Sequence, residues 1–137
     1  MATNCKVLLV EDIESEAKLV FKHLKRVSEW RFSVEHFERL DAAIKSAAEN
    51  KYDVILLDLN LPDCSGIEVC QRMLRVSQKV PVIVLTNQNS IELGTKAMRE
   101  GAQDYLIKRE VDGPLLGRSI RYAIERAKGE VALRESE

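Results

Sequence analysis

The sequence has no apolar run that approaches the roughly 20 residues needed to cross a bilayer. Its apolar runs are short, and residues 6–10 are typical of them. The first five residues also lack the charged and apolar regions of a secretory signal. From these absences we expect a cytoplasmic protein that does not associate with membranes.

An excess of charge of one sign is missing as well. The chain has 21 basic and 22 acidic side chains, for a net charge of −1. Broad nucleic-acid binding requires a clustered basic surplus. We therefore expect no direct contact with nucleic acid.

Cysteine is scarce, with only Cys5, Cys64 and Cys70 in the chain. An odd count does not build a disulfide framework in a domain of this size. No third soft ligand stands at a useful spacing from Cys64 and Cys70, which disfavours a zinc site. The pattern predicts three reduced thiols.

What the sequence does have is five strand-length apolar runs separated by helix-length amphipathic stretches. In the first such stretch, Ile13, Ala17, Val20 and Leu24 recur at the spacing of one helix face. This alternation predicts a parallel sheet with helices on both faces, within one domain. The predicted strands are residues 6–10, 31–37, 53–57, 80–85 and 102–107.

Polar side chains stand at the carboxyl ends of four of these strands. Glu11 and Asp12 follow the first strand, Asp58 ends the third, Thr86 ends the fourth and Lys108 ends the fifth. In an open parallel α/β sheet, ligands bind beyond the carboxyl ends of the strands. We therefore expect the functional site at this edge.

Three carboxylates would crowd this edge if the first and third strands are neighbours, since paired strands lie about 4.8 Å apart. Like charges so close repel one another unless a cation intervenes. Mg²⁺ prefers oxygen ligands of this kind, and Lys108 offers a second positive charge. A carboxylate beside Mg²⁺ and an ammonium can act as a nucleophile toward a phosphoryl group.

Four segments resemble those of response-regulator receiver domains, the CheY-like family, in order and spacing. They are VLLVED (7–12), VILLDLNLPD (54–63), PVIVLT (81–86) and GAQDYLIK (101–108). The match covers roughly residues 5–127. The resemblance implies a flavodoxin-like, three-layer, doubly wound α/β fold whose five-stranded parallel sheet has the order 2-1-3-4-5.

The resemblance also implies roles for individual residues at the metal site. Asp58 would be the phosphoacceptor. Asp12 would bind Mg²⁺ directly and Glu11 through water. Asp58 and the backbone carbonyl of Asn60 would complete the protein ligands.

Three further residues would act in catalysis and switching by the same resemblance. Thr86 would bond a phosphoryl oxygen, and Lys108 would pair first with the Asp58 carboxylate and then with the phosphoryl group. Tyr105 occupies the aromatic switch position and is expected to turn inward when Thr86 moves.

The function implied is that of a phosphoacceptor switch, which catalyses only its own phosphorylation and dephosphorylation and is otherwise not an enzyme. A histidine kinase or a histidine phosphotransfer protein would donate the phosphoryl group. Phosphorylation would change the surface near the fifth strand and the fourth and fifth helices. A downstream output domain or partner protein would respond to that change, and the same surface admits a homodimer.

The domain organisation expected is a receiver domain over residues 1–127 and the start of a linker helix over residues 128–137. The run from Arg121 to Glu137 resembles the join between a receiver and a following PAS-type sensory domain. The chain would then be the N-terminal receiver of a larger signalling protein.

Three other functions are compatible with parts of this pattern. A pseudo-receiver, a scaffold that is never phosphorylated, stays open as an alternative. A phosphatase of the haloacid-dehalogenase type would need an Asp-x-Asp motif after the first strand. A flavodoxin-like cofactor binder would need a phosphate-binding loop there, where Glu11 and Asp12 would repel the phosphate.

The sequence departs from the family pattern at two positions. Arg109 follows Lys108 where the family usually has a proline joined by a cis peptide. Because a cis bond without proline costs about 3–4 kcal/mol, we predict a trans Lys108–Arg109 bond. Asn87 follows Thr86 where a small residue is common, and we expect it to crowd the mouth of the site. Pro62 and Asp63 are predicted to be turn residues.

Overall fold

The computed structural model describes residues 3–87 and 90–136, with side chains described as far as Gly129. The strands are β1 (Thr3–Val10), β2 (Trp30–Phe37), β3 (Val54–Leu57), β4 (Asn60–Leu61), β5 (Cys64–Ser65), β6 (Val82–Thr86) and β7 (Asp104–Ile107). The helices are α1 (Glu14–Lys25), α2 (Leu40–Glu49), α3 (Ile67–Val76), α4 (Ile91–Glu100) and α5 (Gly113–Ser136). A 3₁₀ turn covers Lys108–Glu110.

Five strands form one parallel sheet in the order β2-β1-β3-β6-β7. Since β6 and β7 are the fourth and fifth predicted strands, the predicted order 2-1-3-4-5 is confirmed. The two remaining strands, β4 and β5, form a short antiparallel hairpin directly after β3. The hairpin was not predicted, because two-residue strands are too short to show a period in the sequence.

Alternate side chains of the sheet enter two separate apolar cores. Leu8 and Val10 of β1 pack on one face with α2, α3 and α4, whereas Val7 and Leu9 pack on the other with α1 and α5. This is the pleat of a strand buried on both sides. Fully burying each such side chain stabilises the fold by about 1.5–3 kcal/mol, so both helical layers are held firmly on the sheet.

Two helix starts show why the chain folds as it does around the sheet. Gly66 precedes α3 with φ of 78°, a left-handed conformation that favours glycine. Asp112 precedes α5, and its carboxylate accepts a hydrogen bond from the backbone N–H of Leu115 at 2.8 Å. This carboxylate satisfies one of the donors that a helix leaves unpaired at its N-terminus.

The backbone of the last helix stays helical to Ser136. Among its side chains described up to Gly129, Ala127 is the last that is buried. Glu137 lies outside the described residues. The division into a receiver over 1–127 and a linker over 128–137 stays a prediction. None of the described helices combines the length and the apolar character that a membrane span requires.

Asp63 does more than form the turn predicted for it. It lies in the turn between β4 and β5, and its carboxylate accepts hydrogen bonds from the backbone N–H groups of Leu40 and Asp41, both at 2.9 Å. These are the first two residues of α2, so Asp63 caps that helix from a distant part of the chain. The cap fastens α2 to the loop that follows Asp58.

The same contacts lower the pKa of Asp63. Burial acts to raise this pKa, but the hydrogen bonds from Leu40 and Asp41 and the charge of Arg39 outweigh burial. Because the folded pKa lies below the unfolded value, the carboxylate stabilises the fold above pH 4–5, and this stabilisation is lost as the pH falls through the folded pKa.

We predict that Asp63→Ala lowers the free energy of unfolding at pH 7 by about 0.5–2 kcal/mol, the usual range for a lost helix cap. Denaturant unfolding measured from pH 7 down to pH 2.5 should show the difference from wild type shrinking as the pH falls. Glu38→Ala, which removes the same charge from an exposed position near the start of α2, is the control. A loss for Asp63→Ala that stays constant with pH would contradict the role of the charge.

Candidate functional site

The strand register brings the predicted site residues to one edge of the sheet. Val10 of β1 pairs with Leu57 of β3, so Glu11 and Asp58 lie side by side just beyond them. Both residues are buried, with 2% and 4% of their surface exposed. The backbone N–H of Asp58 donates to the carbonyl of Val10 at 3.0 Å, which fixes the chain at the start of the site.

Lys108 reaches this pair from the other half of the sheet. Thr86 pairs with Ile107, so Lys108 lies just past the ends of β6 and β7. Its Nζ donates to Glu11 Oε2 at 2.5 Å and to Asp58 Oδ2 at 3.1 Å. The predicted meeting of Glu11, Asp58 and Lys108 is therefore observed. No cis peptide bond occurs among the described residues, so the predicted trans Lys108–Arg109 bond is confirmed.

Glu16 is a member of the site that sequence reasoning missed. Its Oε2 accepts a hydrogen bond from Lys108 Nζ at 2.6 Å. Carboxylate oxygens of Glu11, Glu16 and Asp58 all lie within 4.8 Å of one another. The available signal was position, because Glu16 stands in the first turn of α1, which begins at the same edge of the sheet. It precedes the buried Ala17.

The cluster carries more negative than positive charge. Burial is the main cause that raises the pKa of Glu11, and the neighbouring Glu16 and Asp58 act in the same direction. Together they outweigh Lys108, so the pKa of Glu11 rises to about 8. Burial also acts to lower the pKa of Lys108, but hydrogen bonds to Glu11 and Glu16 raise it overall. One ammonium among three carboxylates thus leaves room for a further cation.

The Asp12 carboxylate also lacks a compensating partner among the described residues. Its Oδ1 is buried and has no hydrogen-bond partner in the part of the chain that the structure describes. A buried carboxylate oxygen without a partner is costly, and a hard cation would satisfy it. Asp12 Oδ1 is therefore a candidate ligand for Mg²⁺. Among the described residues, the carboxylates that lie within 4.8 Å of one another are Glu11, Glu16 and Asp58, so the structure brings Glu16 rather than Asp12 into that group. Asn60, whose carbonyl was expected to join the ligands, begins β4 two residues after Asp58 and donates its N–H to Asp58 Oδ1 at 3.2 Å.

The two residues expected to switch lie on neighbouring strands. Thr86 ends β6 and is 2% exposed. Tyr105 in β7 is half-buried, and its ring packs close to Gly94 of α4, where an added Cβ would come within 3.2 Å of the ring. Burial raises the pKa of the Tyr105 hydroxyl. The switching roles of Thr86 and Tyr105 stay predictions.

The two departures from the family pattern are in contact with each other. Nδ2 of Asn87 donates to Glu16 Oε1 at 2.6 Å, and Nη1 of Arg109 donates to the backbone carbonyl of Asn87 at 3.2 Å. Asn87 therefore lies at the rim of the site, as expected. Its contact with Glu16 was not foreseen.

Comparison with known proteins agrees with this geometry. Residues 7–119 match the family model for the response regulator receiver domain. The match covers most of the chain, and it agrees with the strand order and with the positions of the site residues at the carboxyl edge of the sheet. The chain belongs to the response-regulator receiver family.

Particular relatives are similar over much of this chain. The cell cycle response regulator CtrA of Brucella ovis is 38% identical over 125 residues, which are 90% of this chain and 52% of that protein. The transcriptional regulatory protein ResD of Bacillus subtilis is 34% identical over 103 residues, 75% of this chain and 41% of that protein. The chain thus spans about half the length of these relatives, or less.

A solved structure is similar over nearly its whole length. The signal receiver domain of the putative LuxO repressor protein from Vibrio parahaemolyticus superposes with a TM-score of 0.79 at 30% identity. The alignment covers 95% of this chain and 97% of that one. This likeness covers more of the chain than the family model does.

We predict that Asp12→Ala weakens Mg²⁺ binding by at least roughly tenfold, since even residues that only support a metal ligand are worth 10- to 100-fold. Without metal, the variant should be as stable as wild type or slightly more stable, because a crowded negative charge is gone. Isothermal titration with Mg²⁺ and denaturant unfolding measure the two effects. Glu14→Ala, two residues away and exposed, should leave Mg²⁺ affinity unchanged. Equal affinity for Asp12→Ala and wild type would remove Asp12 from the site.

Proposed function

We propose that this domain is a phosphoacceptor switch that takes a phosphoryl group on Asp58. The observation that supports this best is the buried ammonium of Lys108, 3.1 Å from the Asp58 carboxylate and beside Glu11. Asp58 supplies a nucleophilic oxygen on a backbone that is fixed by a hydrogen bond. The neighbouring ammonium of Lys108 could contact an oxygen of an incoming phosphoryl group.

Phosphoryl transfer to Asp58 would use the positions of Asp58, Lys108 and Thr86. A carboxylate oxygen of Asp58 forms a bond to phosphorus while the bond from phosphorus to the donor breaks. For a phosphohistidine donor, the electron pair of the P–N bond returns to the imidazole nitrogen. Lys108 stabilises the negative charge on the transferring oxygens, and the Thr86 hydroxyl would bond one of them afterwards. Hydrolysis would return the carboxylate: water oxygen bonds to phosphorus, the bond from phosphorus to the Asp58 oxygen breaks, and inorganic phosphate leaves.

Bound Mg²⁺ would neutralise charge on the phosphoryl oxygens. Asp12, Asp58 and the Asn60 carbonyl would hold the ion, with Glu11 acting through water. In the described structure, Asp12 Oδ1 is buried without a hydrogen-bond partner, and Asp58 accepts hydrogen bonds from Lys108 and from the N–H of Asn60.

The partners follow from the family. The phosphodonor would be a histidine kinase or a histidine phosphotransfer protein, and the domain would catalyse only its own phosphorylation and dephosphorylation in the cytoplasm. Because the relatives named above are longer than this chain, we propose that residues 128–137 begin a linker to a downstream output domain.

The test of the central proposal is phosphorylation with a small phosphodonor and Mg²⁺, followed by intact mass. We predict that wild type gains one phosphoryl group, which hydroxylamine removes, and that Asp58→Asn gains none, because the nucleophile is gone and the shape is kept. Asp53→Asn is the control, since Asp53 lies just before the opposite end of β3 and its carboxylate bonds the N–H of Lys6.

Equal labelling of wild type and Asp58→Asn would refute the assignment of Asp58. A folded wild type that gains no mass would favour the scaffold alternative. A chain that ends at Lys128 should label like the full chain if residues 128–137 serve only as a linker.

We place the output surface on α4 and β7. Ile91 and Met98 of α4 are 87% and 42% exposed, and with Tyr105 they line an open groove of about 640 Å³. Exposed apolar side chains grouped in this way mark interaction surfaces. Tyr105 would carry the state of Asp58 to this surface by turning inward.

The partner we propose for this surface is a second copy of the chain. Sedimentation of the phosphorylated protein should show a dimer, with the unphosphorylated protein largely monomeric. Met98→Glu should abolish the dimer because burying an unpaired charge is costly, while Asp58 still labels. Identical sedimentation of the phosphorylated and unphosphorylated protein would exclude the homodimer as the output.

A further inference from the structure

Lys108 divides its hydrogen bonds unequally among three carboxylates. Its Nζ lies 2.5 Å from Glu11, 2.6 Å from Glu16 and 3.1 Å from Asp58. An ammonium has three N–H donors, so these contacts use all of them. The contact with Asp58, the proposed phosphoacceptor, is the longest. The resting ammonium therefore lies nearer the two glutamates.

Glu16 is restrained from its other side. Its Oε1 accepts a hydrogen bond from Nδ2 of Asn87 at 2.6 Å, and Arg109 in turn contacts the carbonyl of Asn87. The two oxygens of Glu16 thus face two partners, Lys108 and Asn87. The side chain of Glu16 is 24% exposed and borders a cavity of about 180 Å³. The contact lies at the rim of the site, so it can be altered without opening the core.

These contacts oppose the transfer proposed above. When Asp58 attacks, its oxygen bonds to phosphorus, the donor leaves with the electron pair, and negative charge spreads over the phosphoryl oxygens. Lys108 has to turn a donor toward one of those oxygens, and it does so only by weakening a contact it already makes. The charge of Glu16 also repels an anionic phosphodonor.

We propose that Glu16 is a positioning residue that holds the Lys108 ammonium closer to the two glutamates than to Asp58. Asn87 keeps Glu16 in that place, and the pair slows phosphorylation of Asp58. This inference depends on the proposed function, since it concerns the rate of the same transfer. Glu16 and Asn87 come from α1 and from the end of β6. The rate is therefore set by contacts between elements that are far apart in the chain.

The direct test compares phosphorylation rates of wild type and Glu16→Gln with a small phosphodonor at saturating Mg²⁺. The substitution keeps the length of the side chain and an oxygen for Lys108 but removes the charge. We expect the phosphorylation rate to rise by about three- to tenfold. Removing one nearby charge in a partly buried site changes the electrostatic energy by enough for an effect of this size. Glu14→Gln, a neighbouring exposed carboxylate paired with Lys18, is the matched control and should change the rate little.

Asn87→Ala tests the restraint separately. It should raise the rate in the same direction but less, because Glu16 is then free to turn outward. If Asn87 acts through Glu16, the double variant should be no faster than Glu16→Gln alone. If the rate increases of the two single variants multiply in the double variant, Asn87 slows the reaction independently, by crowding the entrance of the site. This part of the proposal would then be wrong.

Two further measurements separate positioning from other roles. The rate gain for Glu16→Gln should be similar for phosphodonors of different charge, since a gain confined to the more anionic donor would indicate simple repulsion. The Mg²⁺ affinity of Glu16→Gln should fall less than that of Asp12→Ala. A larger fall would make Glu16 a metal ligand and overturn the inference.

The outcomes distinguish this inference from the proposed function. If wild type labels on Asp58 and Glu16→Gln labels at the same rate or more slowly, the inference fails and the switch stands. If folded wild type does not label at all, the proposed function fails and this inference fails with it. Equal melting temperatures of the variants would show that a changed rate does not come from a changed fold.

Discussion

Lys108 places one ammonium group among three carboxylates in a pocket nearly closed to water, with 10% of its side chain exposed. If one carboxylate is removed, Lys108 still has two others as partners, whereas removing the ammonium would leave the buried carboxylates of Glu11 and Asp58 without a compensating charge. The ends of β1, β3 and β7 and the first turn of α1 all contribute to this contact. The charge balance around Lys108 is therefore the constraint on which the rest of the site depends.

The parallel register of the sheet makes that constraint possible. Each strand of the central sheet ends at the same edge, so residues that follow β1, β3 and β7 meet although nearly 100 positions separate Glu11 from Lys108. The two apolar cores fix the sheet between its helical layers, and the tertiary cap from Asp63 ties α2 to the loop after Asp58. Apolar burial thus stabilises the sheet and its helices, and the buried carboxylates Glu11 and Asp58 lie together at one edge.

The site is also connected to the helices around it. Glu16 links α1 to Lys108, Asn87 links α1 to the end of β6, and Arg109 links the 3₁₀ turn to Asn87. A change in the position of Lys108 therefore alters contacts on three elements at once. Under the proposed function, these contacts and Tyr105 on β7 would be two physical routes from Asp58 to the surface of the domain.

The sequence by itself determined the alternation of five strands with helices and the placement of Glu11, Asp58 and Lys108 at one edge of the sheet. Those features depend on local apolar period and on the rule that parallel strands end together, and both are visible along the chain. Only the tertiary structure decided that Glu16 shares Lys108, that Asn87 and Arg109 contact each other, and that Asp63 caps α2. These contacts depend on how each helix is rotated against the sheet and on which rotamers the long polar side chains adopt. Such choices are set by packing between distant segments, which no local pattern in the sequence records.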